Sequence, residues 1–218
     1  MVRAVLFDFD GLLLDTEYPE FRSWHEVFAS HGFTLAQETW VAHTGTGATL
    51  NSFSPYEILE HKLGRVIDRD AIRRARRQRV SELMDAETLL PGVEARMQEA
   101  VRLGLKVAIV SSSPRQWIEG YLDRFGLNDA FDAILSADDV TNTKPDPELY
   151  LAALTRLGLR AEEAIVFEDA PHGIASAKGA GLYCIAVPNR LTSLCNLDRA
   201  DRVIASLSAL TLQELLSP

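Results

Sequence analysis

The chain has 218 residues, 47% hydrophobic and 24% charged, with 22 Lys and Arg against 31 Asp and Glu for a net charge of −9. That composition fits a globular chain with a substantial core, and the length exceeds the commonest domain size of about 100–150 residues, so an insertion or a second small domain is expected. An acidic balance argues against nucleic acid, which is gripped by clustered cations, and no apolar run reaches membrane length.

The first element is a strand, "AVLFDFD" (4–10), which runs straight into two acids, Asp8 and Asp10. Residues 16–89 then read as helices: "YPEFRSWHEVFASHG", with Phe21, Trp24 and Phe28 on one stripe, "SPYEILEHKLG", and "DRDAIRRARRQRVSELMDA". The arginine run in the last of these reads as a solvated helical face. "LLPGV" (89–93) marks the return to strands. From there strands and helices alternate: "KVAIVSSS" (106–113), "FDAILSA" (131–137), "EAIVFEDA" (163–170), "YCIAVP" (183–188), and "RVIASL" (202–207) as a sixth strand at an edge. In "SPRQWIEGYLDRFG" Ser113 reads as N-cap, Pro114 as the first helical residue and Gly126 as the stop, with Trp117 and Tyr121 in the core. "DPELYLAALTRLG" repeats the pattern with Asp146, Pro147 and Gly158, and "HGIASAKGAG" closes at Gly181. Alternation of this kind predicts an α/β fold: a Rossmann-like, doubly wound parallel sheet formed by residues 1–15 and 90–218, with an inserted α-helical cap domain at 16–89. Cys184 and Cys195 have no ligand spacing and read as reduced thiols, Cys184 in a buried strand. No signal-peptide pattern opens the chain, so a cytoplasmic protein is expected.

Ligands of open parallel sheets bind beyond the carboxyl ends of the strands. Strand one delivers Asp8 and Asp10 there, strand two Ser111 and Ser112, and the "FED" strand Glu168 and Asp169, while "TKPDP" brings Lys144 to the same edge. Carboxylates crowded in this way call for a cation, and hard oxygen ligands suit Mg²⁺. Ser111 and Ser112, at the start of a helix, suit an anion, and Lys144 suits a charge partner for Asp8 and for a phosphate oxygen. "TGTGATL" has neither the strand before it nor the lysine after it that a nucleotide loop needs; with Thr44, Gly45, Thr46, Gly47 and Thr49 it reads as a loop over the site. His172 reads as a loop residue nearby.

In order, "DFDGLLLDTE", "IVSSS", "TKPDPELY" and "FEDAPHGIASAKGAG" resemble the four motifs of the haloacid dehalogenase-like superfamily, in its β-phosphoglucomutase and sugar-phosphatase branch. The resemblance covers essentially the whole chain. It implies that Asp8 is a nucleophile forming an aspartyl-phosphate, and that Asp10 protonates the leaving alcohol and then activates water. It implies that Ser111 and Lys144 hold the phosphoryl group. Mg²⁺ would be held by Asp8, the Asp10 backbone carbonyl and Asp169, with Glu168 nearby or through water. Ser112, Gly11, Glu20, Thr44 and Gly45 complete the residues expected at the substrate. Dehalogenases lack the second acid, so Asp10 points away from that chemistry. β-Phosphoglucomutases carry a histidine where this chain has Glu20, and an arginine in the loop matching "GTGATL", where no cation stands. Simple hydrolysis of a small phosphorylated metabolite, a sugar phosphate, is therefore expected, with a phosphosugar mutase as the alternative; a monomer is the default expectation for a capped enzyme of this kind. A phospho-acceptor signalling module is a third reading; it has no helical insertion of this size and no partner acid two residues on.

Overall fold

The computed structural model describes residues 1–44 and 54–216; of His43 and Thr44 only the backbone is described. Six parallel strands form one sheet in the order β3-β2-β1-β4-β5-β6. They are β1 (Ala4–Phe7), β2 (Lys106–Val110), β3 (Ala133–Leu135), β4 (Ala164–Glu168), β5 (Tyr183–Ala186) and β6 (Arg202–Val203). The chain fills one side of β1 with β2 and β3 and then crosses to the other with β4, so the winding reverses around β1. Crevices for ligands lie at such reversals, outside the carboxyl ends of the strands. Phe7 stands level with Ile109 of β2 and Phe167 of β4, so the next residue of β1, Asp8, leaves the sheet between the ends of both neighbours.

Side-chain alternation divides the core into two layers. Ala4, Leu6, Val110 and Val166 face one apolar cluster, which includes Leu149 and Tyr150 of α7 (Glu148–Leu157) and Ile174 of α8 (Pro171–Gly179). Val5, Phe7, Ile109 and Phe167 face the other, with Met97 of α5 (Val93–Arg102) and Ile118 and Leu122 of α6 (Arg115–Phe125). Phe7 and Phe167 stack at 5.3 Å across the β1–β4 pair. By the same alternation Asp8 shares the side of Leu6, where α7 and α8 lie.

Between β1 and β2 the chain forms α1 (Glu17–Ser30), α2 (Gln37–Thr44), α3 (Pro55–Leu63) and α4 (Arg69–Ala86). These gather a third cluster around Phe21, Trp24, Phe28, Trp40 and Leu59. α2 is not among the helices read from the sequence, and Gly45, Thr46, Gly47 and Thr49 lie outside the described residues. The arginine run of α4 is partly a clamp and not only a solvated face. Arg76 pairs with Glu20 of α1 at 2.5 Å and lies over the Trp24 ring at 4.1 Å, and Arg79 pairs with Glu26 at 2.8 Å. Arg190 joins both crossings into this helical segment, with Asp15 at 2.6 Å, Glu87 at 3.3 Å and the Tyr18 ring at 3.5 Å. Among the described residues no helix is long and apolar enough to cross a membrane.

The sequence reading of helix ends needs two corrections. α6 begins at Arg115 after Pro114, and the Ser113 hydroxyl caps nothing: it donates to Asp10. α7 begins one residue after Pro147, although Asp146 Oδ1 still accepts from the Glu148 N–H at 3.0 Å. The expected sixth strand is at the edge, but only two residues long.

Candidate active site

A cleft of about 370 Å³ opens at the carboxyl end of β1. Its floor comes from the sheet edge: Asp8, Asp10, Ser111, Ser112, Lys144, Glu168 and Asp169. Its other wall comes from the helical segment, through Glu17, Glu20, Trp40, Val80 and Met84. Residues as far apart as 8 and 169 thus meet because β1 lies between β2 and β4.

Lys144 sits at the centre of the floor with its side chain 3% exposed. Its ammonium donates to Asp8 Oδ1 at 2.6 Å and to the Val110 carbonyl at 2.7 Å, and lies 2.7 Å from Glu168 Oε1. Glu168 also accepts the hydroxyl of Tyr150, a residue the sequence reading did not single out. Asp169 accepts from the Asn189 amide at 2.9 Å, and the same amide donates to the Gly11 carbonyl at 3.1 Å. Two glycines make room. A Cβ on Gly173 would lie 1.9 Å from a Glu168 oxygen, and one on Gly11, at φ +86°, 2.3 Å from Asp169 Oδ2. Gly11 is not among the residues that line the cleft; its N–H donates to the Leu14 carbonyl, and what the structure shows of it is this close packing against Asp169.

One oxygen each from Asp8, Glu168 and Asp169 lies within 4.8 Å of the others, all buried. Among the described residues lining the cleft, Lys144 is the only Lys or Arg that faces them. The imbalance registers in the acids. Burial, then Glu168, raise Asp8 from 3.8 to about 7 against the pull of Lys144. Burial and Asp8 push Asp169 well above the carboxylate range. Glu17, which the sequence reading passed over, rises from 4.5 to about 7 through burial and the charges of Asp8, Asp10 and Asp15. An all-oxygen donor set with more negative charge than one ammonium balances is suited to a hard divalent cation.

Asp10 is arranged differently. Its carboxylate is not part of that trio, and both of its oxygens are taken by donors: Ser111 at 3.1 Å, Ser113 at 2.6 Å and the Trp117 indole at 3.0 Å. The Asp10 carboxylate is therefore engaged by two hydroxyls and an indole N–H and does not join the metal-type cluster. Trp117 is 38% exposed and lines the cleft, so it is not the core residue expected from its spacing to Tyr121. Ser112 is exposed at the cleft and Glu20 reaches it while tied to Arg76. His172 also lines the cleft, at the first turn of α8. Its Nδ1 is buried without a hydrogen-bond partner among the described residues, and burial, then Lys144, lower its pKa. Thr44 ends α2, and Gly45 lies outside the described residues.

The family profile of haloacid dehalogenase-like hydrolases matches residues 5–187. The chain belongs to that family. This hydrolase is 40% identical over 216 residues to YhcW of Bacillus subtilis strain 168, covering 99% of its own length and 97% of that protein. It is 32% identical over 181 residues to the phosphorylated carbohydrates phosphatase of Thermotoga maritima, covering 83% and 82% of the two chains. The crystal structure of CbbY from Rhodobacter sphaeroides in complex with phosphate matches 96% of each chain at a TM-score of 0.70 and 30% identity. The chain is an enzyme of the family's phosphatase and β-phosphoglucomutase-like branch.

Proposed function

We propose that this hydrolase is a Mg²⁺-dependent phosphatase for monoesters of small sugars or polyols, acting through a phosphorylated Asp8. The observation that carries the reading is the Lys144 ammonium, buried between Asp8 and Glu168 with Asp169 alongside. Asp8 attacks phosphorus as the bond to the alcohol oxygen breaks, and Asp10 gives that oxygen its proton. In the second half Asp10 takes a proton from water, whose oxygen attacks the aspartyl-phosphate and frees Asp8 and phosphate. A carboxylate nucleophile replaces one hard displacement by two easier ones, and general acid–base help of this kind contributes about 10²–10⁴-fold. Lys144 holds Asp8 in place and, with the Ser111 hydroxyl and the exposed Ser112, covers the equatorial oxygens on which charge is spread. Mg²⁺, held by Asp8, Asp169 and the Asp10 carbonyl with Glu168 beside them, would supply further positive charge to those oxygens. Residues 16–89 serve as the cap, with 1–15 and 90–218 as the catalytic core.

The cap wall favours a neutral leaving group. Glu17 and Glu20 are acidic, and the nearby cation, Arg76, is engaged by Glu20 and stacked on Trp24 with its side chain 13% exposed. A second phosphate, which a mutase must grip, or a carboxylate would face these acids, whereas hydroxyl groups can donate to them. Incubation with hexose, pentitol and glycerol phosphates, phosphoglycolate and β-glucose 1-phosphate tests this. Free phosphate from the neutral polyol esters is the expected product. Glucose 6-phosphate forming faster than free phosphate, or preference for phosphoglycolate, contradicts it.

Metal binding should also show in stability. Asp8 rises from 3.8 to about 7 on folding, so between those values the folded chain keeps a proton that the unfolded chain has released. Its contribution therefore diminishes as pH climbs from about 4 to about 7. A bound cation favours the ionised form and removes that loss. Saturating Mg²⁺ is expected to raise Tm more at pH 8 than at pH 5 in thermal scans; equal increments would contradict a site at these carboxylates.

A further inference from the structure

The two oxygens of Asp10 have partners of different kinds. Oδ1 accepts the Trp117 indole N–H at 3.0 Å, while Oδ2 accepts the hydroxyls of Ser113 at 2.6 Å and Ser111 at 3.1 Å. A hydroxyl donates or accepts and rotates to suit its neighbours, but an indole N–H can only donate. The serines can thus yield Oδ2 to another partner, Ser111 by turning to an arriving phosphate, while Trp117 keeps Oδ1. The indole is braced for this. It meets Tyr121 edge-on at 4.9 Å, and Tyr121 meets Phe9 at 6.3 Å, in the chain segment between the two aspartates. A ring 38% exposed at the rim of the cleft contributes little to the core, yet its one polar atom sits on the side chain that carries the proton.

We propose that Trp117 is a positioning residue for Asp10: its N–H pins Oδ1 so that Oδ2 is turned to the leaving-group oxygen. The inference rests on Asp10 being the acid of the phosphatase reaction. As the bond from Asp8 to phosphorus forms and the ester P–O bond breaks, the proton passes from Asp10 Oδ2 to the departing oxygen. Without the indole the carboxyl can swing about its Cβ–Cγ bond, and a displacement of about 1 Å in a catalytic group costs up to about 10²-fold.

The test uses leaving groups that need the proton to different degrees. Single-turnover phenol release is measured with Mg²⁺ for substituted phenyl phosphates from p-nitrophenyl to p-methoxyphenyl, with wild type, Trp117→Phe, Asp10→Asn and the double variant. Trp117→Phe keeps a ring against Tyr121 but removes the N–H. Its rate is expected to fall by a factor that grows with the basicity of the leaving phenol, reaching about 10–100-fold for p-methoxyphenyl phosphate. In the Asp10→Asn background the same change is expected to cost almost nothing further, because it acts through the group already removed. A loss equal across the series, no loss, or full additivity in the double variant overturns the proposal. A wild type inert on the whole series, or an Asp10→Asn variant as insensitive to the leaving group as wild type, overturns instead the phosphatase reading beneath it.

Discussion

Asp8→Asn is expected to lower phosphate release by about 10⁴–10⁶-fold, the scale seen when a covalent nucleophile is removed, without weakening the fold. Asparagine keeps the shape of the side chain and an oxygen that can still accept from Lys144, but it is no carboxylate with which to form an acyl phosphate. The stability half of the expectation follows from the charges. Ionised Asp8 is disfavoured where it stands, raised to about 7 by burial and by Glu168, and Lys144 retains Glu168 as its counter-charge at 2.7 Å. At pH 8 in EDTA the variant should therefore unfold at a urea concentration no lower than wild type. Mg²⁺ should raise its Tm by less than it raises that of wild type, one ligand having been lost. Substantial turnover by the folded variant would remove Asp8 from the chemistry. Marked destabilisation in EDTA would mean that the Asp8–Lys144 pair outweighs the repulsion among the acids.

Much of this site was legible in the sequence because its backbone logic is local. A β-branched or aromatic run that ends in an acid, followed by a helix start, identifies a strand end whatever the rest of the chain does, and parallel winding brings such ends to one edge. Asp8, Glu168 and Asp169 were readable in this way, Ser111 as the residue that follows the second strand, and Lys144 only through "TKPDP" in the connection after the third. What was not readable depends on side chains reaching across the fold. Trp117 and Tyr121 are four apart on a helix, a spacing that ordinarily marks a buried stripe. Only the contact between residue 117 and residue 10 turns that stripe into part of the cleft. Ser113 has the position of a cap in the local string, but Asp10 takes its hydroxyl. Glu17 follows Asp15 in an acidic string and reads as a first-turn helical acid. Its crowding becomes visible once α1 is laid over the edge of the sheet, although its i, i+3 spacing to Glu20 already places both on one helical face. Arg76 and Arg79 belong to a run of charges that resembles a solvated surface. Their partners on α1 lie more than fifty residues earlier, where helix periodicity cannot reach. α2 escaped because a short helix before "TGTG" has little amphipathic pattern of its own.

Lys144→Met is expected to damage stability and catalysis together, and to do so in a pH-dependent way. Methionine replaces much of the lysine stem but leaves Asp8, Glu168 and Asp169 buried within reach of one another with no cation between them. Removing one partner of a buried charge pair costs about 3–5 kcal/mol, and here two carboxylates lose the same ammonium. In EDTA at pH 8 urea unfolding should show a loss of about that size. Lys144 is what holds Asp8 down to about 7 against burial and repulsion, so in its absence the acid titrates higher still. The folded variant then retains protons that the unfolded chain releases, and its stability falls as pH rises through the neutral range. The deficit relative to wild type should accordingly be smaller at pH 5 than at pH 8. Saturating Mg²⁺ should recover part of the stability, by supplying charge to the same oxygens, but not the activity. Turnover is expected to remain about 10²–10³-fold down, the effect of removing one preorganised group from a developing oxyanion. A deficit of equal size at both pH values would show that the lysine is valued for its packing and not for its charge. Full recovery of turnover by Mg²⁺ would show that the ammonium has no part in holding the phosphoryl group.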